Sequence, residues 1–323
     1  MSYPSRIGRL TRTLTRAAAV TAAGALMVAG LAAQPAAAGG GGGHHRGGHH
    51  GHRHADPKTV VYVEVNNYDF RNVADYSLKN SKRPAFDMAM IFAANINYDV
   101  DKKKAYLHLN ERVTETLENA KTQIRPVQAK GTKVLLSILG NHQGAGFANF
   151  PTYQAADAFA AEVAAAVKKY RLDGIDLDDE WSEYGVNGTG QPNDYSFVYF
   201  IKALRHRLGK DKLITFYNIG PSGERTVYRG FKAGWLLDYA YNPYYGSWQP
   251  PQIPGLKQRQ LGAAAVDLTT TDSALAVEMA QRTVRERFGV YVTYNLTDQD
   301  HSAYLSGITR ALKGKSTVYR PQR

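Results

Sequence analysis

From Thr59 onward the chain alternates short apolar, β-branched runs with longer stretches whose apolar positions recur every three or four residues. The short runs predict strands at Thr59–Val65, Asp87–Ala93, Lys133–Leu139, Leu172–Asp178, Leu213–Asn218, Asp238–Tyr241, Ala263–Leu268 and Gly289–Tyr294. The longer stretches predict helices at Glu111–Lys130, Tyr153–Lys169, Asp194–Leu208 and Asp272–Arg287, with a weaker periodicity over His301–Leu312. Pro221–Leu236 and Tyr245–Leu261, rich in Gly, Pro and aromatics, read as loops or stunted turns. Eight strands with intervening helices predict an α/β fold, a (β/α)8 TIM-like barrel that is irregular, with missing or shortened helices around strands 5 to 7. A doubly wound sheet fits less well, because site-like motifs stand at the ends of strands 2 to 8 rather than at one switch point.

The fourth predicted strand breaks the apolar rule. Leu172–Trp181 holds Asp173, Asp176, Asp178, Asp179 and Glu180 among Leu172, Ile175 and Leu177. In an extended chain Asp176, Asp178 and Glu180 share one face, roughly 7 Å apart per pair of residues. Carboxylates so close cannot all ionise freely, and one that keeps its proton near neutral pH can act as a general acid. Glu180, where the strand opens into a loop, is the candidate for that acid; a barrel keeps its chemistry at that end. A solvated acidic face would not interleave large aliphatic residues, and a calcium loop needs a glycine at its sixth position, which no register here supplies.

Residues 1–38 carry early arginines, an Ala-rich apolar stretch over residues 17–33 and Ala36-Ala37-Ala38, the layout of a secretory signal peptide. The apolar stretch is short for a membrane span. Residues 39–58 form a Gly/His-rich linker, expected to be disordered, in which His44, His45, His49, His50, His52 and His54 offer imidazoles without a fixed geometry. A plain spacer and a chelating tail both fit that composition. Residues 59–323 are left for one catalytic barrel. The formal charge of +12 includes six arginines before residue 55, where no acid occurs. The remaining surplus is modest and lacks the basic stripe of a nucleic-acid surface. The chain has no cysteine, so disulfides and thiolate metal sites are excluded.

The spacing Asp173-x-x-Asp176-x-Asp178-x-Glu180 resembles the signature of glycoside hydrolase family 18, the chitinases and their endoglycosidase relatives. Lys133–Pro151, Asn187-Gly188-Thr189, Gln191–Asp194, Tyr217–Pro221 and Asn242–Gly246 extend the resemblance from about Val60 to the C-terminus. It implies a secreted, extracellular monomer that cuts the GlcNAc-β1,4-GlcNAc core of Asn-linked high-mannose or hybrid glycans. Partners are those N-glycans; nucleic acid, membrane, metal and cofactor have no place in the reading. Chitin oligomers are the alternative substrate. A lectin on a decayed barrel is a third reading, against which Glu180 speaks, since such proteins typically lose the acid.

The resemblance also implies roles. The substrate's own N-acetyl group is the nucleophile, so retention needs no protein nucleophile. Glu180 protonates the glycosidic oxygen and later deprotonates water, Asp178 binds the acetamido N–H, and Asp176 backs Asp178. Tyr244 matches the tyrosine whose hydroxyl meets the acetamido oxygen; Asn242 is a second donor, and Tyr245 has the wrong parity unless its loop turns in. Asp173, of opposite parity to the three acids, reads as a brace behind the strand. Sugar sites also need flat apolar faces and amides, for which Asn66, Asn95, Asn97, Asn141, His142, Trp181, Tyr217, Asn218, Trp248, Tyr294 and Asn295 are candidates. Strand eight offers Tyr291, Tyr294 and Asn295 where many chitinases carry a tryptophan, which weakens the chitinase alternative.

Overall fold

The computed structural model describes residues 56–321. The predicted signal peptide, the histidines of the predicted linker and the last two residues lie outside the described residues. Among the described residues eight parallel strands close a barrel: β1 (Lys58–Glu64), β2 (Met88–Asp99), β3 (Lys133–Leu139), β4 (Gly174–Asp178), β5 (Leu213–Tyr217), β6 (Tyr239–Tyr241), β7 (Leu261–Asp267) and β8 (Val290–Tyr294). Each pairs with its successor in parallel, and β8 returns to β1 through Lys58↔Val290 to Val61↔Thr293. All eight predicted strands are present. The predicted second strand stopped at Ala93, whereas β2 runs to Asp99 because its last residues pair antiparallel with Lys104–His108, as in Asn95↔His108.

Period-two alternation sorts the strand residues into two cores. Inward-facing Val60, Tyr62, Met88, Met90, Leu135, Tyr241, Val290 and Val292 fill the barrel, while Val61, Val63, Val134, Leu136, Ile175 and Ile214 face the helices. The helices are α1 (Glu111–Glu118), α2 (Ala120–Gln123), α3 (Arg125–Ala129), α4 (Tyr153–Tyr170), α5 (Ser196–Leu208), α6 (Ser273–Arg285) and α7 (Ser302–Lys313). Apolar positions of α4, Phe159, Val163 and Val167, recur at helical spacing and are buried. The stretch predicted as one helix over Glu111–Lys130 is three pieces. The first ends at the Asn119 cap, and Pro126, without an N–H, opens the third.

The barrel is irregular where expected: between β5 and β7, apart from β6, stand 3-10 turns and two-residue strands, at Val227–Tyr228, Phe231–Lys232 and Ser247–Trp248. A further irregularity lies between β1 and β2. There a 3-10 turn at Phe70–Asp75 leads to a short strand, Tyr76–Leu78, that pairs with Thr317–Tyr319.

One device repeats around the N-terminal end. Asp87, Asp173 and Asp238 each stand one residue before an even-numbered strand and accept the backbone N–H of Thr59, Val134 and Ile214 on the preceding strand, at 2.9, 2.9 and 2.8 Å. Each is also paired with a base: Lys313 at 2.5 Å, Lys133 at 3.1 Å and Arg205 at 2.6 Å. Asp173 is therefore a brace at the foot of β4, far from the mouth, as its parity predicts.

Candidate active site

The acids of β4 stand inside the barrel mouth. Asp176 is fully buried and accepts hydrogen bonds from Tyr62 and Ser137 on one oxygen, both at 2.9 Å, and from Thr215 on the other at 2.5 Å. These three hydroxyls project inward from β1, β3 and β5. Burial lifts the Asp176 pKa to about 6, against the lowering effect of Thr215, Tyr62 and Ser137. Asp178, two residues higher, is buried too, and its Oδ1 has no hydrogen-bond partner among the described residues. Burial, then the charges of Glu180, Asp176 and Asp179, push its pKa well up. Glu180 is half-buried at the mouth; burial raises its pKa, and the Trp181 side chain beside it lowers it. A row of carboxyl groups that hold protons to unusually high pH is the condition for general acid chemistry near neutrality.

Asp179 faces the other way, and sequence reasoning gave it no role. It accepts hydrogen bonds from Ser182 Oγ at 3.1 Å, from the Tyr184 hydroxyl and from the Ser222 N–H at 2.8 Å, tying the loop after β4 to the loop after β5. A Cβ on Gly220 would stand 2.0 Å from the Asp179 carbonyl oxygen, and one on Gly140 would stand 2.2 Å from that of Glu180. Those glycines let neighbouring loops close against the acids. Beyond the barrel, β3 and β4 continue as a ladder: Gly140 N–H to Glu180 O at 2.9 Å, His142 N–H to Trp181 O at 2.7 Å and Gly144 N–H to Ser182 O at 2.8 Å. This ladder fixes the backbone that carries Glu180.

Opposite the acids, the single proton of the Tyr217 hydroxyl is shared between the Pro243 carbonyl at 2.9 Å and the Tyr245 hydroxyl at 2.6 Å. The Tyr245 ring stacks on Tyr294 at 4.8 Å, and the Tyr294 hydroxyl donates to Glu64 at 2.6 Å. Burial raises the pKa of Tyr217, Tyr245 and Tyr294, and acids of the Asp176–Glu180 row raise each of them further. All three therefore stay protonated donors.

Several sequence-predicted residues are placed differently. Tyr244 is 51% exposed and its hydroxyl has no partner among the described residues, whereas Tyr245 faces the acids. The strand ends at Tyr241, and the turn in which Asn242 Oδ1 accepts the Tyr244 N–H at 2.9 Å resets the parity. Asn242 is buried and spent on that turn, its amide donating to Ala263 O at 2.9 Å and Ser247 O at 3.1 Å, so it has no donor left for a sugar. Trp248 is outside the barrel. Ser247–Trp248 pairs antiparallel with β7, which turns the indole toward Phe288 at 5.4 Å and Arg282 at 4.3 Å. Asn218 lies beneath Gly223 with its buried Oδ1 unpartnered among the described residues, whereas Asn295 donates to Thr269 Oγ1 at 3.1 Å and serves a neighbouring loop. Asn141 donates to Asn97 at 2.9 Å, and with Asn66 and Asn95 it lines a cavity of ≈ 400 Å³ above β1 to β3. His142 and Trp181 meet on the rim, rings 5.5 Å apart. Tyr62, Ser137, Thr215 and Glu64 went unnoticed in the sequence. Ser137, a hydroxyl within Val134–Leu139, was the signal available: a polar residue in a buried strand of the same inward parity as its neighbour's acid.

The buried Asp176 has a consequence for stability. An unfolded aspartate releases its proton near pH 3.8, the folded one near pH 6, so between them the folded state holds the extra proton and stability falls as pH rises. Asp176→Asn removes that dependence. Between pH 4 and 7 its stability to urea, relative to wild type, is expected to improve by roughly 3 kcal/mol, since each pH step separating the two titrations contributes about 1.4 kcal/mol. Parallel curves for the two proteins across that range would contradict a titrating Asp176.

Comparison with known proteins agrees with this geometry. The model of the glycosyl hydrolases family 18 matches residues 58–238. An endo-beta-N-acetylglucosaminidase of Flavobacterium sp. (strain SK1022) is 54% identical over 263 residues, 81% of this chain and 82% of the relative. Endo-beta-N-acetylglucosaminidase F1 of Elizabethkingia meningoseptica is 33% identical over 264 residues, 80% of this chain and 77% of the relative. Among solved structures, EndoBT-3987 of Bacteroides thetaiotamicron with a Man5GlcNAc product superposes with a TM-score of 0.71 at 26% identity, over 82% of this chain and 62% of that one. This chain thus spans somewhat under two thirds of that neighbour. With a closed parallel barrel, the four-acid strand and these matches, the chain belongs to glycosyl hydrolases family 18.

Proposed function

We propose that this glycoside hydrolase is a secreted endo-β-N-acetylglucosaminidase of the H type, acting as a monomer on the GlcNAc-β1,4-GlcNAc core of high-mannose and hybrid N-linked glycans. The observation that carries the reading is Asp178: a buried carboxyl with an unpartnered oxygen, directly between the hydroxyl-bound Asp176 and the half-buried Glu180. A buried acceptor left open is costly unless a ligand group fills it. An acetamido N–H is a donor of the right kind, and the tyrosine hydroxyls of Tyr217 and Tyr245 face the same space.

The residues then act in sequence. Glu180 gives its proton to the glycosidic oxygen while the acetamido carbonyl oxygen attacks the anomeric carbon, so one C–O bond breaks and another forms. Asp178 passes its proton to the neighbouring Asp176, and as a carboxylate it accepts the amide N–H and balances the positive charge of the oxazolinium. Tyr245, rather than Tyr244, is the donor to the acetamido oxygen. Water then adds to the anomeric carbon as the bond to the acetamido oxygen breaks and the acetamide is restored; the water's proton returns to Glu180 and the configuration is retained.

Digestion of a high-mannose glycoprotein, a complex-type glycoprotein and chitin oligomers, with products weighed by mass spectrometry, tests the reading. A single GlcNAc left on the high-mannose glycoprotein is the expected product; cleavage of chitin oligomers alone would replace this function with a chitinase. Asp178→Asn should lower glycoprotein hydrolysis on the order of 100-fold, the size of losing a preorganised charge partner. A preformed sugar oxazoline should still be transferred to GlcNAc by that variant, since the step that needs Asp178 most is already complete. Absence of any transfer would count against substrate assistance.

A further inference from the structure

Among the described residues ten other than glycine adopt left-handed backbone conformations, and three of them, His142 (φ 55), Trp181 (φ 59) and Glu183 (φ 48), meet in one cluster beside Glu180. Neither Trp nor Glu favours that conformation, which is disfavoured for side chains lacking a local hydrogen-bonding group. The hydrophobic core does not account for it, because Trp181 is 57% exposed and the His142 and Glu183 side chains are 53% and 52% exposed. The loop ladder from Gly140 to Gly144 holds the backbone in place. His142 Nδ1 contacts Glu183 Oε1 at 2.7 Å, and the imidazole stands against the indole at a 45° tilt. The outcome is a large flat apolar face, braced from behind and open to solvent. Strain that persists where no packing demands it points to function.

The position of this face says what it covers. Trp181 follows the proton donor directly and its side chain acts on the Glu180 carboxyl. The loop after β3 supplies its brace, on one side of β4. On the other side stand Tyr217 and Tyr245, from β5 and the loop after β6, with the open Asp178 oxygen below. If the acetamido sugar occupies the tyrosine side, the oxygen that Glu180 protonates links it to a sugar on the Trp181 side.

We propose that Trp181, braced by His142 and Glu183, is the platform for the leaving-group GlcNAc that stays on the protein. The apolar face of that pyranose stacks on the indole, so Trp181 determines how well a GlcNAc acceptor, as opposed to water, is held against the anomeric carbon. This rests on the functional reading above.

The test separates the two. A Man-GlcNAc oxazoline is supplied with a simple GlcNAc glycoside, and transfer and hydrolysis are measured together; hydrolysis needs no sugar on the Trp181 side. Trp181→Ala is expected to lower the transfer-to-hydrolysis ratio about ten-fold, the scale of one aromatic stacking contact. Trp181→Phe, which keeps a ring, should restore most of the ratio, and His142→Ala should lower it less than Trp181→Ala. Trp181→Gly, free of left-handed strain, should melt no lower than wild type while sharing the loss of transfer. A ratio unchanged in Trp181→Ala overturns the platform while the enzyme assignment stands. Equal loss of transfer and hydrolysis that Phe does not rescue overturns it too, making Trp181 a positioning residue for Glu180. A wild-type protein that neither hydrolyses nor transfers the oxazoline overturns the functional reading itself.

Discussion

Glu180→Gln is expected to lower turnover on a high-mannose glycoprotein by at least ~100-fold, the lower end of what general acid catalysis supplies, with KM close to wild type. The amide matches the carboxyl in shape and keeps an acceptor, so the loss isolates the transferable proton. Burial raises the pKa of this half-buried carboxyl, which keeps the acid form present toward neutral pH. The wild-type rate should therefore fall on the alkaline side as Glu180 loses its proton, while the residual rate of the variant should lack that limb. Because Gly140 holds the Glu180 carbonyl through a backbone hydrogen bond at 2.9 Å, the substitution leaves the loop where it is, and the melting temperature should not drop. Turnover within a few-fold of wild type in a folded Glu180→Gln protein would remove Glu180 from the acid role.

The largest loss of stability is expected at the other end of the barrel. Lys313 comes from the last turn of α7, and its side chain is only 1% exposed. Its ammonium donates to Asp87 at 2.5 Å, Thr59 Oγ1 at 2.7 Å and Ala85 O at 3.3 Å. Burial lowers the pKa of Lys313 and works against that of Asp87, which the lysine nevertheless draws below its ordinary value. The two directions oppose each other, so the intact pair contributes little net stability, while breaking it strands a charge. Lys313→Met fills the same space and leaves Asp87 only the more exposed Lys58 ammonium, 3.7 Å away. A cost of about 3–5 kcal/mol at pH 7 is expected from urea unfolding. Asp87 has a depressed pKa in the folded state, so its contribution is present above the unfolded value of 3.8 and fades as pH falls below it. The gap between variant and wild type should accordingly narrow in acid. A loss below about 1 kcal/mol at pH 7 would mean that water replaces the ammonium, as it does at exposed pairs.

Both predictions sit on features of unequal visibility. Glu180 could be read because an acid row interrupts a strand whose other residues are large and aliphatic, and parity alone places Asp176, Asp178 and Glu180 together. Lys313 could not, because it is one lysine at the end of a weakly periodic helix, 226 residues from Asp87 in sequence. Asp179 was overlooked for a related reason: its partners Ser182, Tyr184 and Ser222 lie in two loops whose meeting depends on Gly220.

Local chemistry therefore determined what repeats locally. The eight strands, their inward and outward faces, the lack of full helices between β5 and β7 and the acid row all follow from period-two and period-3.6 patterns and from Gly and Pro placement. The tertiary structure decided everything that depends on where a loop turns. Parity reaches Tyr241 and no further, so the order Tyr244 outside and Tyr245 inside was set by the Asn242 turn. Trp248 left the mouth once its two-residue strand paired with β7. The left-handed residues at 142, 181 and 183 exist only because two neighbouring loops hydrogen-bond each other beyond the barrel. A strand carries its side-chain directions in its own geometry, whereas a loop takes them from contacts distant in sequence, and those contacts shape this site's rim.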